Sequence, residues 1–253
     1  MNNQPMPPFQ GQGPAPAPAF LSIIQHNCLG CWNVFVSLFE SFKGTAIYPS
    51  IVLLQDPPVN KAHLPSFNGF KSFFPPVRKP RVAAYVDMSF LSSYTVLPRF
   101  KGVDDVLSLD ISSNEPLFRT AFHSFKIINA YSTNTADHRV HSVLPEVVFP
   151  DLGFPLLVLG DRNIHNPLSD PLRHFSHREI SSSPPYFEKA AESRFALLNP
   201  PGEYTRFPLV GKARPSVIDL AFANPSLLPL VKSWEASLPS TGSDHIPITI
   251  TIV

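Results

Sequence analysis

The stretch LVLGDRNIHNPLSD, residues 157–170, runs an apolar segment into Gly160 and Asp161 and then into Asn163, His165, Asn166 and Asp170. A carboxylate and an amide two residues apart at the end of a buried strand could do chemistry if other segments bring partners. Other apolar runs end the same way. FLSIIQ (20–25) empties into His26 and Asn27, IVLL (51–54) into Gln55 and Asp56, and FHSFKIINAY (122–131) closes on Tyr131. Asp219 lies inside SVIDLAF (216–222), and Ser243, Asp244 and His245 stand just before IPITITI (246–252).

Each residue type has a use. Asp56 offers the hard oxygen that Mg²⁺ or Mn²⁺ takes alongside water and phosphate. Asp161 can orient or deprotonate a water. Asn27 and Asn163 can hydrogen-bond phosphate oxygens without adding negative charge. His245, paired with Asp219, would be held in one tautomer with its cation stabilised, ready to meet charge developing on a phosphate. The set fits metal-assisted cleavage of a phosphodiester. Singly these signals are weak: Asp-x-Asn is also a turn signal, Ser-Asp-His also a loop, and His165 reads as a turn cap. Asp219, flanked by Ile218 and Leu220, is a buried carboxylate that needs a partner.

The elements that must position these groups are mostly strands. Apolar and β-branched runs predict strands at 20–25, 51–54, 82–86, 106–111, 122–131, 156–160, 216–222 and 246–252; in the last of these, isoleucines recur with period two. Trp32, Phe35, Phe39 and Phe42 recur at helical spacing and predict a helix over 32–42, with further helices near 138–147 and 187–198. Strands outnumber helices and come partly in consecutive runs, which argues a sheet-rich α/β sandwich rather than an alternating wind.

Composition bounds the rest. The 253 residues are 43% hydrophobic, enough for a sizeable core, and carry a net charge of +1, unlike a basic nucleic-acid coat. Thirty prolines imply short elements and many loops. Residues 1–18, rich in Pro, Gln and Gly, read as a disordered leader, and 19–253 as one domain. Cys28 and Cys31 lack a second metal-binding pair and read as two reduced thiols. No apolar run is long enough to span a bilayer and no secretory signal is present, so a nuclear or cytoplasmic monomer without a membrane partner is expected.

In the order QHN, LLQDPP, NAY, LGDRN, SVIDLAF and GSDH, the chain resembles the endonuclease/exonuclease/phosphatase superfamily over about residues 20–253. GDRNIHNPLSD and PSVIDLAFAN bring it nearer to the endonuclease domain of LINE-type (non-LTR) retrotransposons. The resemblance implies a four-layer α/β sandwich, deoxyribonuclease I-like, with two packed, mostly antiparallel sheets flanked by helices. It implies a Mg²⁺- or Mn²⁺-dependent DNA endonuclease that nicks one strand, with DNA as partner and a reverse transcriptase domain lying outside this chain. It places Asp56, Asp244 and Asn27 around the metal. Tyr131, Asp161, Asn163 and His245 fall at the scissile phosphate, and Asp219 behind the histidine.

Two residues depart from the family pattern. Asp56 stands where a glutamate is usual, and Arg162 where an aromatic is usual. Arg162 is counted with Arg206, Lys212 and Arg214 as a nucleic-acid contact; the last three lie in TRFPLVGKARPS, which resembles a DNA minor-groove hairpin. Arg78, Lys79 and Arg81 are the other cations near the expected pocket. Two alternatives stay open: a weak or inactive retroelement-derived relic that binds nucleic acid, and a phosphatase of the same fold acting on a small molecule or lipid.

Overall fold

The computed structural model describes residues 20–44, 48–60, 63–100, 104–114, 123–132, 145–150, 153–173, 184–209, 214–237 and 241–253. The expected leader, residues 1–18, and most of the expected 138–147 helix lie outside them.

Two six-stranded sheets pack face to face. The first contains β1 (Leu21–Asn27), β2 (Ile51–Gln55), β3 (Phe70–Phe73), β4 (Val82–Asp87), β11 (Val231–Ala236) and β12 (Ile248–Ile252), ordered β11-β12-β1-β2-β4-β3. The second contains β5 (Tyr94–Arg99), β6 (Val106–Ser113), β7 (Ser124–Ala130), β8 (Leu156–Asp161), β9 (Ala196–Leu197) and β10 (Asp219–Ala223), ordered β5-β6-β7-β8-β10-β9. Each sheet is antiparallel except for one central pair, β1 with β2 and β7 with β8.

Strand parity sorts the side chains into layers. Leu21, Ile23, Ile51, Leu53, Leu157, Leu159, Ala221 and Ala223 point between the sheets into the main core. The alternate residues face outward. Ile24, Val52 and Leu54 are covered by α1 (Trp32–Ser41) through Phe35, Leu38 and Phe39. Leu156, Val158, Leu220 and Phe222 are covered by Val148, Phe149, Tyr186 and Phe187 of the segment holding α3 (Pro145–Val148) and of α4 (Pro184–Glu192). Helix, sheet, sheet and helix make the four layers expected from the resemblance. A short α2 (Met88–Ser93), capped by the Asp87 carboxylate, links the sheets.

Four strands are absent from the sequence reading: β3, β5, β9 and β11. All lie at or beside sheet edges with partly exposed faces, and β5 contains Pro98, which an edge strand tolerates. The expected helix over 187–198 ends early. Arg194 adopts φ +60, and the amides of Phe195 and Arg194 bond back to the carbonyls of Ala190 and Ala191 at 2.8 and 2.9 Å. That is a Schellman stop, with Phe195 returning to pack on Phe149. No helix among the described residues is long and apolar enough to cross a membrane.

Candidate active site

Parity also builds the site. On β1, Gln25 and Asn27 continue the inward face of Leu21 and Ile23; on β2, Gln55 continues Ile51 and Leu53; on β8, Asp161 continues Leu157 and Leu159. The carboxyl ends of β1 and β2 lie side by side, as Asn27 pairs with Gln55. Asp161 and Asp219 are direct partners across β8 and β10. The apolar core thus gives way, at one end of the sandwich, to a layer of inward-facing polar groups.

Asp161 is fully buried and held from three sides. The Asn27 side-chain amide donates to it at 2.8 Å, and the Asn163 backbone N–H at 3.0 Å. His245 Nε2 stands 3.9 Å away. Gly160, at φ +143, brings the chain here: a Cβ would lie 1.8 Å from the Ala130 carbonyl oxygen, so only glycine fits. Asn163 adopts φ +49, a left-handed conformation that asparagine tolerates. Its amide donates to the Ser132 carbonyl at 2.8 Å and to Asp161 at 3.3 Å. The two asparagines expected to bind phosphate therefore each spend an amide donor on Asp161, and Asn163 gives its other to the Ser132 carbonyl.

His245 Nδ1 bonds Asp219 at 2.8 Å. The other Asp219 oxygen accepts from Gln25 at 3.0 Å, and the Asp219 amide donates to the Thr205 hydroxyl at 3.0 Å. Burial opposes a charged His245, but Asp219, with Asp161 and Asp244, outweighs it and raises the imidazole to about 9. Burial, then repulsion from Asp219, pushes the Asp161 carboxyl up; His245 partly offsets this. Asp219 moves down, because attraction to His245 overcomes its own burial.

The outer part of the site is built from two ion pairs. Asp244 Oδ2 receives Arg206 Nε and Nη2, each at 2.8 Å, while its Oδ1 is buried with no hydrogen-bond partner among the described residues. Asp56, at φ +42, faces Arg81 at 3.2 Å, and the Arg81 guanidinium lies over the Tyr131 ring at 4.5 Å. Burial, then Asp161, raises the Tyr131 phenol to about 12, so it stays protonated at neutral pH.

Arg162 is a correction. It follows the parity of Leu156 and Val158, so it points away from the site, fully buried, with its guanidinium 4.7 Å from the Tyr186 ring centroid. From there it cannot touch nucleic acid. Arg206 and Arg214 are described, with Arg206 committed to Asp244; Lys212 lies outside the described residues.

The sequence reading missed an inner polar ladder. Gln25 donates to Gln55 at 2.6 Å, Gln55 to Asn129 at 2.6 Å, and Asn129 to the Leu54 and Ala83 carbonyls at 3.0 Å each. It also missed the role of Arg81. The ladder's only sequence signal is a polar residue on the inward parity of an apolar strand.

Residues 125–249 match the family model described as endonuclease-reverse transcriptase. The endonuclease domain of TRAS1, a telomere-specific non-LTR retrotransposon, superposes with a TM-score of 0.70 at 18% identity, covering 92% of this chain and 98% of that one. The chain has the endonuclease/exonuclease/phosphatase fold. Two further structures share it. An AP endonuclease, LMAP from Leishmania major, aligns with a TM-score of 0.66 at 15% identity, over 92% of this chain and 87% of its own. A 3'-5' exonuclease from Neisseria meningitidis aligns at 0.60 and 16%, over 91% and 98%. No match is found among curated proteins. In this endonuclease/exonuclease/phosphatase fold, the strand-end groups named from sequence share one end of the sandwich.

Proposed function

We propose that the chain is a divalent-metal-dependent DNA endonuclease that hydrolyses a phosphodiester and nicks one strand. The observation that carries the reading is His245 fixed among buried carboxylates, bonded through Nδ1 to Asp219 at 2.8 Å, with Nε2 3.9 Å from Asp161 and 3.6 Å from Asp244. Bonded so, the histidine is a cation aimed at the space beside Asp161. Asp161, its carboxyl raised by burial, is a base that takes a proton from an attacking water. His245 then faces the charge that develops on the phosphate. Asn27 and Asn163 keep the Asp161 oxygens in place, and Tyr131 offers a neutral hydroxyl to the phosphate.

The donor set suits a hard cation. Asp244 Oδ1 is a buried carboxylate oxygen with no hydrogen bond among the described residues, and Asp56 is a second carboxylate at a strand end. Asp161, Asp219 and His245 also lie within chelating reach of one another, but Asp219 and His245 Nδ1 are already bonded together. Asp56 and Asp244, with Asn27, are therefore the residues that would hold Mg²⁺ or Mn²⁺. The metal would supply charge neutralisation at the phosphate. Arg206 and Arg214 are proposed DNA contacts, and a reverse transcriptase domain a proposed partner.

A second reading, a nucleic-acid-binding relic, is favoured by one observation: Asp56 is shorter than the usual glutamate and already paired with Arg81. Plasmid nicking with Mg²⁺, Mn²⁺ or EDTA separates the two. Metal-dependent nicking by wild type that falls about 10²-fold or more in Asp161→Asn is the expected result. Nicking that appears only in Asp56→Glu identifies a relic crippled at its metal ligand. Silence in all variants overturns the endonuclease.

A further inference from the structure

Both carboxylates proposed for the metal are already neutralised by arginines of this chain. Asp56 faces Arg81 at 3.2 Å, with both side chains about one-quarter exposed, and Asp244 Oδ2 holds two Arg206 donors at 2.8 Å. The two contacts differ from structural ion pairs in what they leave undone. Arg81 Nε is buried and makes no hydrogen bond of good geometry even to Asp56. The guanidinium lies 4.5 Å from the Tyr131 ring centroid and also meets the Tyr131 side chain in a hydrogen bond, so Tyr131 fixes its plane while Nε stays unbonded among the described residues. Arg206 places Nε and Nη2 on one oxygen, while Asp244 Oδ1, 3.6 Å from His245 Nε2, has no hydrogen bond among the described residues. Each arginine is thus placed beside a proposed metal carboxylate with donors to spare. A guanidinium fork fits a phosphate as well as it fits a carboxylate.

We propose that Arg81 and Arg206 exchange partners during substrate binding: each holds a metal carboxylate in the free protein and passes to a DNA phosphate when a divalent cation takes that carboxylate. The inference rests on the metal-dependent endonuclease reading and adds a linkage to it. A cation entering alone meets carboxylates already neutralised, beside guanidinium charges that repel it until they find another partner. DNA entering alone meets arginines already committed. Together, each gives the other its partner. Metal and DNA must then bind cooperatively, and by the same factor in either order. Arg81 and Arg206 thereby bind the substrate phosphate and set when the carboxylates become available.

The test reads binding rather than turnover. In an Asp161→Asn background, which keeps DNA intact, Mn²⁺ is titrated by electron paramagnetic resonance with and without a 12-base-pair duplex. The duplex is expected to tighten Mn²⁺ about 10-fold or more, within the range usual for coupled sites. With Arg81→Met, Mn²⁺ binds tightly without DNA and the coupling shrinks below about threefold; Arg206→Met behaves alike. Either variant serves if the other fails to melt like its parent. Simple attraction between Mn²⁺ and DNA charge would leave the coupling intact in both variants, and that result overturns the exchange. Equal Mn²⁺ affinity with and without duplex in the parent also overturns it. Wild-type nicking in the plasmid assay would survive either failure, so the endonuclease reading stands or falls separately.

Discussion

Asp161 and Asp219 face one another as direct partners across β8 and β10, two buried carboxylates, with His245 bonded to one and 3.9 Å from the other. Like charges so placed cannot share one environment. Asp219 takes the imidazole and moves down; Asp161 is left with amide donors and moves up. Asp219→Asn would keep the shape while removing the anion that charges His245. Cleavage of a single-site oligonucleotide should fall about 10³-fold in kcat. The DNA Kd should stay within about threefold, because Asp219 lies behind the histidine. A variant that cleaves within tenfold of wild type would sink the assignment.

Arg162 gives a stability prediction opposite to that of a DNA contact. Burial holds its pKa below the ordinary arginine value, and its three guanidinium nitrogens have no hydrogen bond of good geometry among the described residues. Tyr186 is the main compensation, followed by attraction to Asp161 and Asp105. Burying a charge without hydrogen bonds is costly, and an apolar side chain of similar length does not carry that cost. Arg162→Met should therefore raise the urea midpoint, while DNA affinity and its salt slope stay unchanged. A shallower salt slope would return Arg162 to the DNA surface.

Legibility followed period two. Asn27, Asp161 and Asp219 could be read because each interrupts or ends an apolar strand, and strand ends converge in a sandwich. Arg162 was equally readable: it shares parity with Leu156 and Val158, and parity alone puts it beneath α4. The Gln25–Gln55–Asn129 ladder was not readable, since it depends on which strands become neighbours. The Arg206–Asp244 pair spans 38 residues and depends on a backbone bond from Phe207 to Asp244 at 2.6 Å, which no local pattern announces. The edge strands β3 and β5 were hidden because half-solvated faces dilute alternation. Arg194 hid the end of α4 by taking a conformation expected of glycine.

His26 predicts a pH effect on stability. Its ring points away from the site and bonds the Thr241 hydroxyl at 2.9 Å. Burial, then repulsion from His245, lowers it from 6.5 to about 3, with Asp219 opposing. As pH falls, the unfolded chain takes up the proton first. The contribution is complete above pH 6.5 and is lost as pH falls toward 3. A glutamine in its place would preserve the bond and cannot titrate. Between pH 7 and 5, wild type should lose about 2 kcal/mol more unfolding free energy than His26→Gln. Denaturant melts at both pH values measure it, and parallel losses would refute it.

The two cysteines should react very differently. Cys28 is fully buried at the end of β1, where burial, then Asp56 and Cys31, pushes its thiol far above the ordinary range. Cys31 is half-buried at the N-cap of α1. The thiolate is the nucleophile, so raising a pKa by several units removes most of the reactivity at pH 8. A thiol-exchange reagent should label one site quickly and the second at least about 100-fold more slowly, at the rate of opening. Cys31→Ser should abolish the fast phase and leave the slow one. Two fast equivalents, or rapid closure of a Cys28–Cys31 disulfide under mild oxidant, would instead make the C-x-x-C a redox pair.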